Sequence, residues 1–277
     1  MATCYRHPGR ETGVACSNCG RPICPDCMTP TAVGMRCPEC AGQRTKVRTI
    51  RSNTRRGYEA TLALIAINVI VFFVEGSTAL TFSGDADPNS SVMFHGLLYG
   101  PFIKLNHEDW RLLTSGFLHW DIIHIAFNMY ALYWLGRLLE PAIGRSRFLS
   151  IYFTGLLAGS LGVLLVSPMS PTAGASGAIF GLLAAAFAEA HARGAEQVRN
   201  QIVLVMAINL ALTIGISGIS IGAHIGGLIG GGLATVAFQQ ADRRRMAALG
   251  YAACVGLAAI AVVGSILVAN GINTGPG

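Results

Sequence analysis

The residues best suited to chemistry in this chain are a serine, two histidines and an asparagine set in apolar sequence. Ser176 lies in Gly174-Ala175-Ser176-Gly177, where polar, proline-broken sequence gives way to an apolar helix pattern of small residues running to Glu189. His224 lies in Ala223-His224-Ile225-Gly226-Gly227. His124 and Asn128 are four positions apart and so share a helical face, and His119 stands just ahead of them. A serine hydroxyl is a poor nucleophile until a base takes its proton, and imidazole suits that task near neutral pH. Polar N–H donors can hold the oxyanion that an attacked carbonyl becomes. The chemistry on offer is acyl transfer. Each residue also has a structural reading: a serine between glycines packs helices, and a lone histidine in an apolar helix can be a satisfied core residue. The elements that carry these residues decide between the two.

The composition makes those elements membrane helices. Of 277 residues, 52% are hydrophobic and 12% charged, against roughly 25% charged in soluble domains. An all-α polytopic membrane protein is expected, with spans near Tyr58–Val74, Ile122–Leu139, Phe148–Val166, Ser176–Glu189, Gln201–Ile214, Ser220–Phe238 and Met246–Val268. Asp121 reads as the N-cap of the second span and Trp120 as its interface anchor. Residues 76–110 form a mixed loop, expected to lie partly in the interface. Residues 270–277 read as a tail, Cys254 as an apolar packing residue, and the polar opening of the chain as lacking a cleavable signal peptide.

The formal net charge of +6 bears on topology rather than on nucleic acid, because the arginines sit in particular loops. Arg137, Arg145 and Arg147, then Arg193 and Arg199, then Arg243, Arg244 and Arg245 fall on one side, while loops 167–175 and 215–219 carry no Lys or Arg. The positive-inside rule places the N-terminus in the cytoplasm and the C-terminus outside, in a plasma (inner) membrane. Ser176 and His224 then both lie within a turn or so of the outer ends of their helices, as do His124 and Asn128. Gly222, Gly226 and Gly230 on the sixth span, with Gly227 and Gly231 beside them, and Gly177 and Gly181 on the fourth form small-residue stripes through which the fourth and sixth helices are expected to approach closely.

Residues 1–40 are a separate unit. Cys4-x2-His7, Cys16-x2-Cys19, Cys24-x2-Cys27 and Cys37-x2-Cys40 are four two-ligand knuckles. Two knuckles grip one tetrahedral zinc, so four imply two structural Zn2+ ions with every position filled. The metal would replace a core this short segment cannot build. The alternative, a disulfide framework, needs an oxidising compartment. The segment resembles a B-box-like or RING-like zinc module, including its Gly20-Arg21-Pro22-Ile23-Cys24 turn. That resemblance implies alternating ligand pairs, first knuckle with third and second with fourth. A basic linker, residues 41–57, carries Arg44, Lys46, Arg48, Arg51, Arg55 and Arg56 and reads as a cytoplasmic anchor.

Residues 58–269 resemble the rhomboid family of intramembrane serine proteases. The matching motifs, in the family's order, are Trp110-Arg111, the run His119, His124 and Asn128, Gly174–Gly177, and Ala223–Gly227. The resemblance implies a six-helix core around a water-filled cavity, here with one further C-terminal helix. It also implies that Ser176 is the nucleophile, His224 the general base of a dyad without an acidic member, and Phe180 an aromatic packed on His224. His124, Asn128 and the Ser176 N–H would hold the oxyanion, with no cofactor in catalysis. Implied partners are membrane-protein substrates, single-pass or polytopic, the lipid bilayer, and a cytoplasmic protein docking on the zinc module. The alternative is a non-catalytic rhomboid-like protein that binds clients. A channel or transporter is a weaker reading, since paired broken helices are not evident.

Overall fold

A computed structural model describes residues 2–31, 34–42, 57–74, 91–215 and 219–272. The basic residues of the linker named above, residues 76–90 of the mixed loop and residues 273–277 of the tail lie outside the described residues. The chain divides into two compact units, Met1–Asn53 and Thr54–Gly277.

The first unit is built on its cysteines. Strands β1 (Ala2–Thr3) and β2 (Glu11–Thr12) pair antiparallel, as do β3 (Thr29–Thr31) and β4 (Gly34–Arg36). A 3-10 turn, Pro25–Cys27, and a short helix α1, Pro38–Gly42, carry the second halves of the ligand knuckles. Gly20 has φ +74°, a conformation that suits glycine, and its N–H bonds the Cys16 carbonyl to close the knuckle. The buried apolar cluster is Cys4, Cys16, Cys24, Cys27, Cys37 and Cys40 with Ile23. So small an apolar core needs a staple.

The second unit is an all-α polytopic membrane bundle. Its long helices are α2 (Glu59–Val74), α6 (Ile122–Ile143), α7 (Arg145–Val166), α8 (Ser176–Ala192), α9 (Glu196–Gly215), α10 (Ile221–Arg243) and α11 (Ala247–Gly271). Four of them, α6, α7, α10 and α11, are long and apolar enough to cross a membrane, and α2 and α8 are shorter apolar helices. From residue 91 on, the segment between α2 and α6 holds α3 (Ser91–Gly96), α4 (Gly100–Asn106) and α5 (Arg111–Thr114). Arg111 organises this segment from a fully buried position. Its Nη1 donates to the carbonyls of Phe94 (2.7 Å) and Leu97 (2.8 Å), it pairs with Glu108, and its guanidinium lies 4.5 Å from the Phe102 ring centre.

Capping follows local chemistry. Asp121 caps α6 by accepting from the His124 N–H at 2.7 Å, and Ser220 caps α10 by accepting from the Ala223 N–H at 3.2 Å. Gly144, with φ +91°, ends α6 and begins α7 without a loop. Several spans extend past the hydropathy limits: α10 continues to Arg243 and α9 starts at Glu196, because polar helical turns run on beyond the apolar window.

Glycines bring α7, α8 and α10 together, but not in the arrangement suggested by spacing alone. Gly222, Gly226 and Gly230 turn towards α7: a Cβ on Gly222 would sit 2.7 Å from the Gly162 carbonyl carbon, one on Gly226 3.2 Å from Gly159 Cα, and one on Gly230 3.2 Å from the Thr154 oxygen. Gly227 and Gly231 turn towards α8, with would-be Cβ atoms 2.7 Å from the Gly177 carbonyl carbon and 2.6 Å from that of Gly181. Helix α10 is thus sandwiched backbone-to-backbone between α7 and α8. Such close approach is how helices gain packing energy in lipid, where no hydrophobic drive acts between them.

Candidate active site

Helix α8 has 17 residues, roughly 25 Å at 1.5 Å per residue, short of the ~30 Å hydrocarbon core. Its N-terminus is therefore set below a membrane surface if its C-terminal end reaches the other one. The loop leading into it is pinned rather than free. Leu98 and Thr172 exchange two backbone hydrogen bonds of 2.9 Å, Gly100 N–H bonds the Pro168 carbonyl (3.0 Å), and Gly174 N–H bonds the Ser115 carbonyl (2.9 Å). Gly174 has φ +139°, and a Cβ there would meet the His124 ring at 2.9 Å and lie 3.8 Å from Ser176 Oγ. The first glycine of the G-A-S-G run is required by its conformation and by the imidazole against it. Ser176, half-buried, is the first residue of α8. The preceding Ala175 supplies no side-chain cap, so the first-turn N–H groups have no intrahelical partner and point the positive end of the helix at this spot.

Phe180, one turn along α8, stacks on His224 with ring centres 4.1 Å apart and planes 14° apart. That contact, with the Gly177–Gly227 approach, places the first turns of α8 and α10 side by side. His224 is buried, and its Nε2 has no hydrogen-bond partner in the protein. A Ser176–His224 hydrogen bond is not formed here. The other ring nitrogen, Nδ1, lies 2.7 Å from Thr213 Oγ1 of α9.

The remaining candidates come from α6. The His124 ring packs on Gly174, beside the G-A-S-G turn. Its Nδ1 is 3.5 Å from the Trp120 N–H, at the edge of hydrogen bonding. The Asn128 amide donates to the His124 carbonyl at 2.9 Å, so its side chain is oriented within its own helix. His119 is fully buried with both ring nitrogens unpartnered, its ring centre 5.0 Å from that of His124. Trp110 is exposed, its indole N–H donating to the His95 carbonyl at 3.1 Å. Asn68 donates to the Leu64 carbonyl of its own helix at 2.8 Å.

In the N-terminal unit the structure gathers Cys4, His7, Cys24 and Cys27 in one cluster and Cys16, Cys19, Cys37 and Cys40 in another, first knuckle with third and second with fourth. Ligand atoms within each set lie within 4.8 Å of one another. His7 Nδ1 is 3.3 Å from Cys24 Sγ and 3.5 Å from Cys27 Sγ, and Cys19 and Cys37 sulfurs are 3.8 Å apart. A tetrahedron of ~2.3 Å zinc–sulfur bonds has edges of about 3.8 Å, so the donors fit that ion in number, type and spacing. All eight cysteines are free in this structure. Burial pushes the Cys27 thiol up to about 11, helped by hydrogen bonds and charge from Cys4 and Cys24. Cys4 resists the same burial, because N–H groups of Cys24, Arg6 and His7 hold it down at about 6. Thiols crowded this closely cannot all ionise unless a cation joins them.

Thr213 and the α7 stripe of Gly155, Gly159 and Gly162 were not singled out from sequence. The stripe was legible as small residues at three- and four-residue spacing. A threonine in an apolar helix carries no such signal.

Residues 106–241 match the Rhomboid domain family model. The chain is 37% identical over 180 residues to Rhomboid protease GluP of Bacillus subtilis, spanning 64% of this chain and 34% of that protein. It is 31% identical over 144 residues to Putative rhomboid protease YdcA of the same organism, spanning 50% of this chain and 72% of that protein. It is also 35% identical over 99 residues to Inactive RHOMBOID-like protein 8 of Arabidopsis thaliana, spanning 35% of this chain and 28% of that protein. The matched part thus covers about a third of GluP and most of YdcA. The chain belongs to the rhomboid family.

Proposed function

We propose that this rhomboid family member is an intramembrane serine endopeptidase that cuts other membrane proteins in or near a transmembrane segment. The observation that carries the reading is His224, stacked on Phe180 one turn from Ser176, with a buried and unpartnered Nε2. In the proposed reaction Ser176 Oγ attacks the scissile carbonyl while His224 Nε2 takes the hydroxyl proton. The oxyanion accepts hydrogen bonds from the Ser176 N–H, His124 and Asn128; losing one such donor typically costs ~10²–10³ in rate. His224 then protonates the leaving amine, and water hydrolyses the acyl-enzyme with the same base. A substrate helix must unwind to offer its amide, so helix-weakening Gly or Pro and small residues at the cut are favoured.

The loop charges support a multi-pass arrangement of seven spans in the plasma membrane, with the N-terminus cytoplasmic and the serine near the outer face. Two Zn2+ ions held by the two clusters would be structural, and the N-terminal unit would dock a cytoplasmic partner. Unchanged client choice, abundance and location after deletion of residues 1–40 would remove the docking role.

The test is cleavage of a model single-pass substrate in liposomes. Wild type should cut and folded Ser176→Ala should not; cutting by the purified mutant would sink the proposal. The similarity to a protein named inactive supports a second reading, a non-catalytic client binder. Absence of cleavage by the wild-type chain against a broad panel of transmembrane substrates would favour it.

A further inference from the structure

We infer that Thr213 of α9 is the positioning residue for the base, fixing His224 in the tautomer that leaves Nε2 free to take a proton. The inference rests on the Ser176–His224 reading above. Thr213 is buried, and its Oγ1 lies 2.7 Å from His224 Nδ1 and 2.7 Å from the Asn209 carbonyl one turn back. A hydroxyl has one proton to donate, and a carbonyl can only accept. The hydroxyl proton therefore goes to Asn209, and the proton in the bond to His224 must come from the ring. Nδ1 carries the hydrogen. A neutral imidazole has a single N–H, so Nε2 holds the lone pair.

The ring cannot easily escape this arrangement. Phe180 lies flat against it, and a half-turn of the ring would replace Nδ1 by a carbon and forfeit the Thr213 bond. A buried carboxylate does this work in Ser-His-Asp sites. In a membrane helix a carboxylate would be costly before the base is charged. A neutral hydroxyl avoids that cost, and its bond strengthens when His224 becomes imidazolium. Among the described residues, this is the one side-chain hydrogen bond that joins α9 to another helix. Base alignment and the seating of the outer end of α9 are therefore the same contact.

The full chain in liposomes, with a fluorogenic transmembrane substrate, tests this through Thr213→Val, which keeps shape and loses the hydroxyl, and Thr213→Ser, which keeps the hydroxyl. Thr213→Val should lower kcat about 3- to 10-fold, the range a neutral hydrogen bond spans, with KM within about twofold. Thr213→Ser should restore kcat to within about twofold of wild type. Nitrogen-15 spectra of labelled histidine should show His224 protonated at Nδ1 in wild type and in Thr213→Ser, and a tautomer mixture in Thr213→Val. Wild-type kcat in Thr213→Val, or an Nε2–H tautomer in wild type, overturns the inference. If Thr213→Val does not fold, the wild-type and Thr213→Ser spectra decide it. Cleavage by Ser176→Ala would instead overturn the underlying reading, and loss of cleavage there with a fully active Thr213→Val would overturn this inference alone.

Discussion

Gly227→Ala is the smallest change that tests whether the backbone contact of α8 and α10 sets the site. The added Cβ would lie 2.7 Å from the Gly177 carbonyl carbon and 3.0 Å from its Cα. Ordinary carbon contacts start near 3.5 Å, and both opposing atoms are backbone, so no rotamer change relieves the clash. The helices must part by on the order of 1 Å. Gly177 follows Ser176 directly, and Gly227 lies one turn from His224, so the separation falls on the nucleophile–base pair. A 1 Å misplacement costs about 10²-fold in rate, and overpacking costs about 1–3 kcal/mol of stability. Gly232→Ala is the control: its Cβ would meet only the Ala184 methyl at 3.6 Å, and alanine favours helix by up to about 1 kcal/mol. Substrate cleavage in liposomes and thermal melting by circular dichroism read both effects. Gly227→Ala should lose about 100-fold in kcat with a lowered melting point, and Gly232→Ala should match or exceed wild type in both. A Gly227→Ala protein as active as wild type would refute the claim that this contact aligns the site.

Glu140→Ala should destabilise the bundle by about 2–4 kcal/mol in denaturant titration. The buried Glu140 carboxylate accepts from Ala60 N (3.0 Å), Thr61 N (2.8 Å) and Thr61 Oγ1 (2.7 Å), and so caps α2. Arg111→Lys should cost about 2–3 kcal/mol and speed amide exchange across 91–106, because an ammonium cannot hold Glu108, as Nε and Nη2 do, while also serving the Phe94 and Leu97 carbonyls, as Nη1 does. Metal analysis of the purified chain should find two zinc ions, and Cys40→Ser should retain one, since the other cluster shares none of its ligands. Full retention in Cys40→Ser would count against the two-cluster assignment.

Much of the layout was legible because lipid imposes simple rules. Apolar windows located α6, α7, α10 and α11, and Asp121 marked a helix start because a cap is a local hydrogen bond. The serine and histidine stood out because polar residues in apolar helices need a reason. What the sequence could not carry was rotation. Gly222, Gly226 and Gly230 and the pair Gly227 and Gly231 are all small, and only the packed bundle assigns the first set to α7 and the second to α8. Glu140 stands near a helix end, where a charge commonly reaches water; its role depends on α2 arriving 80 residues earlier in the chain. Thr213 and His224 come from different helices, and no periodicity links them.

The account stands on one hydroxyl activated by one imidazole, and locating a covalent adduct tests it most directly. A fluorophosphonate probe applied to the full chain in liposomes, followed by peptide mass spectrometry, should place the adduct on Ser176 in wild type. His224→Ala should abolish it while the protein stays folded. An adduct on another residue, or undiminished labelling of Ser176 without His224, would contradict the account.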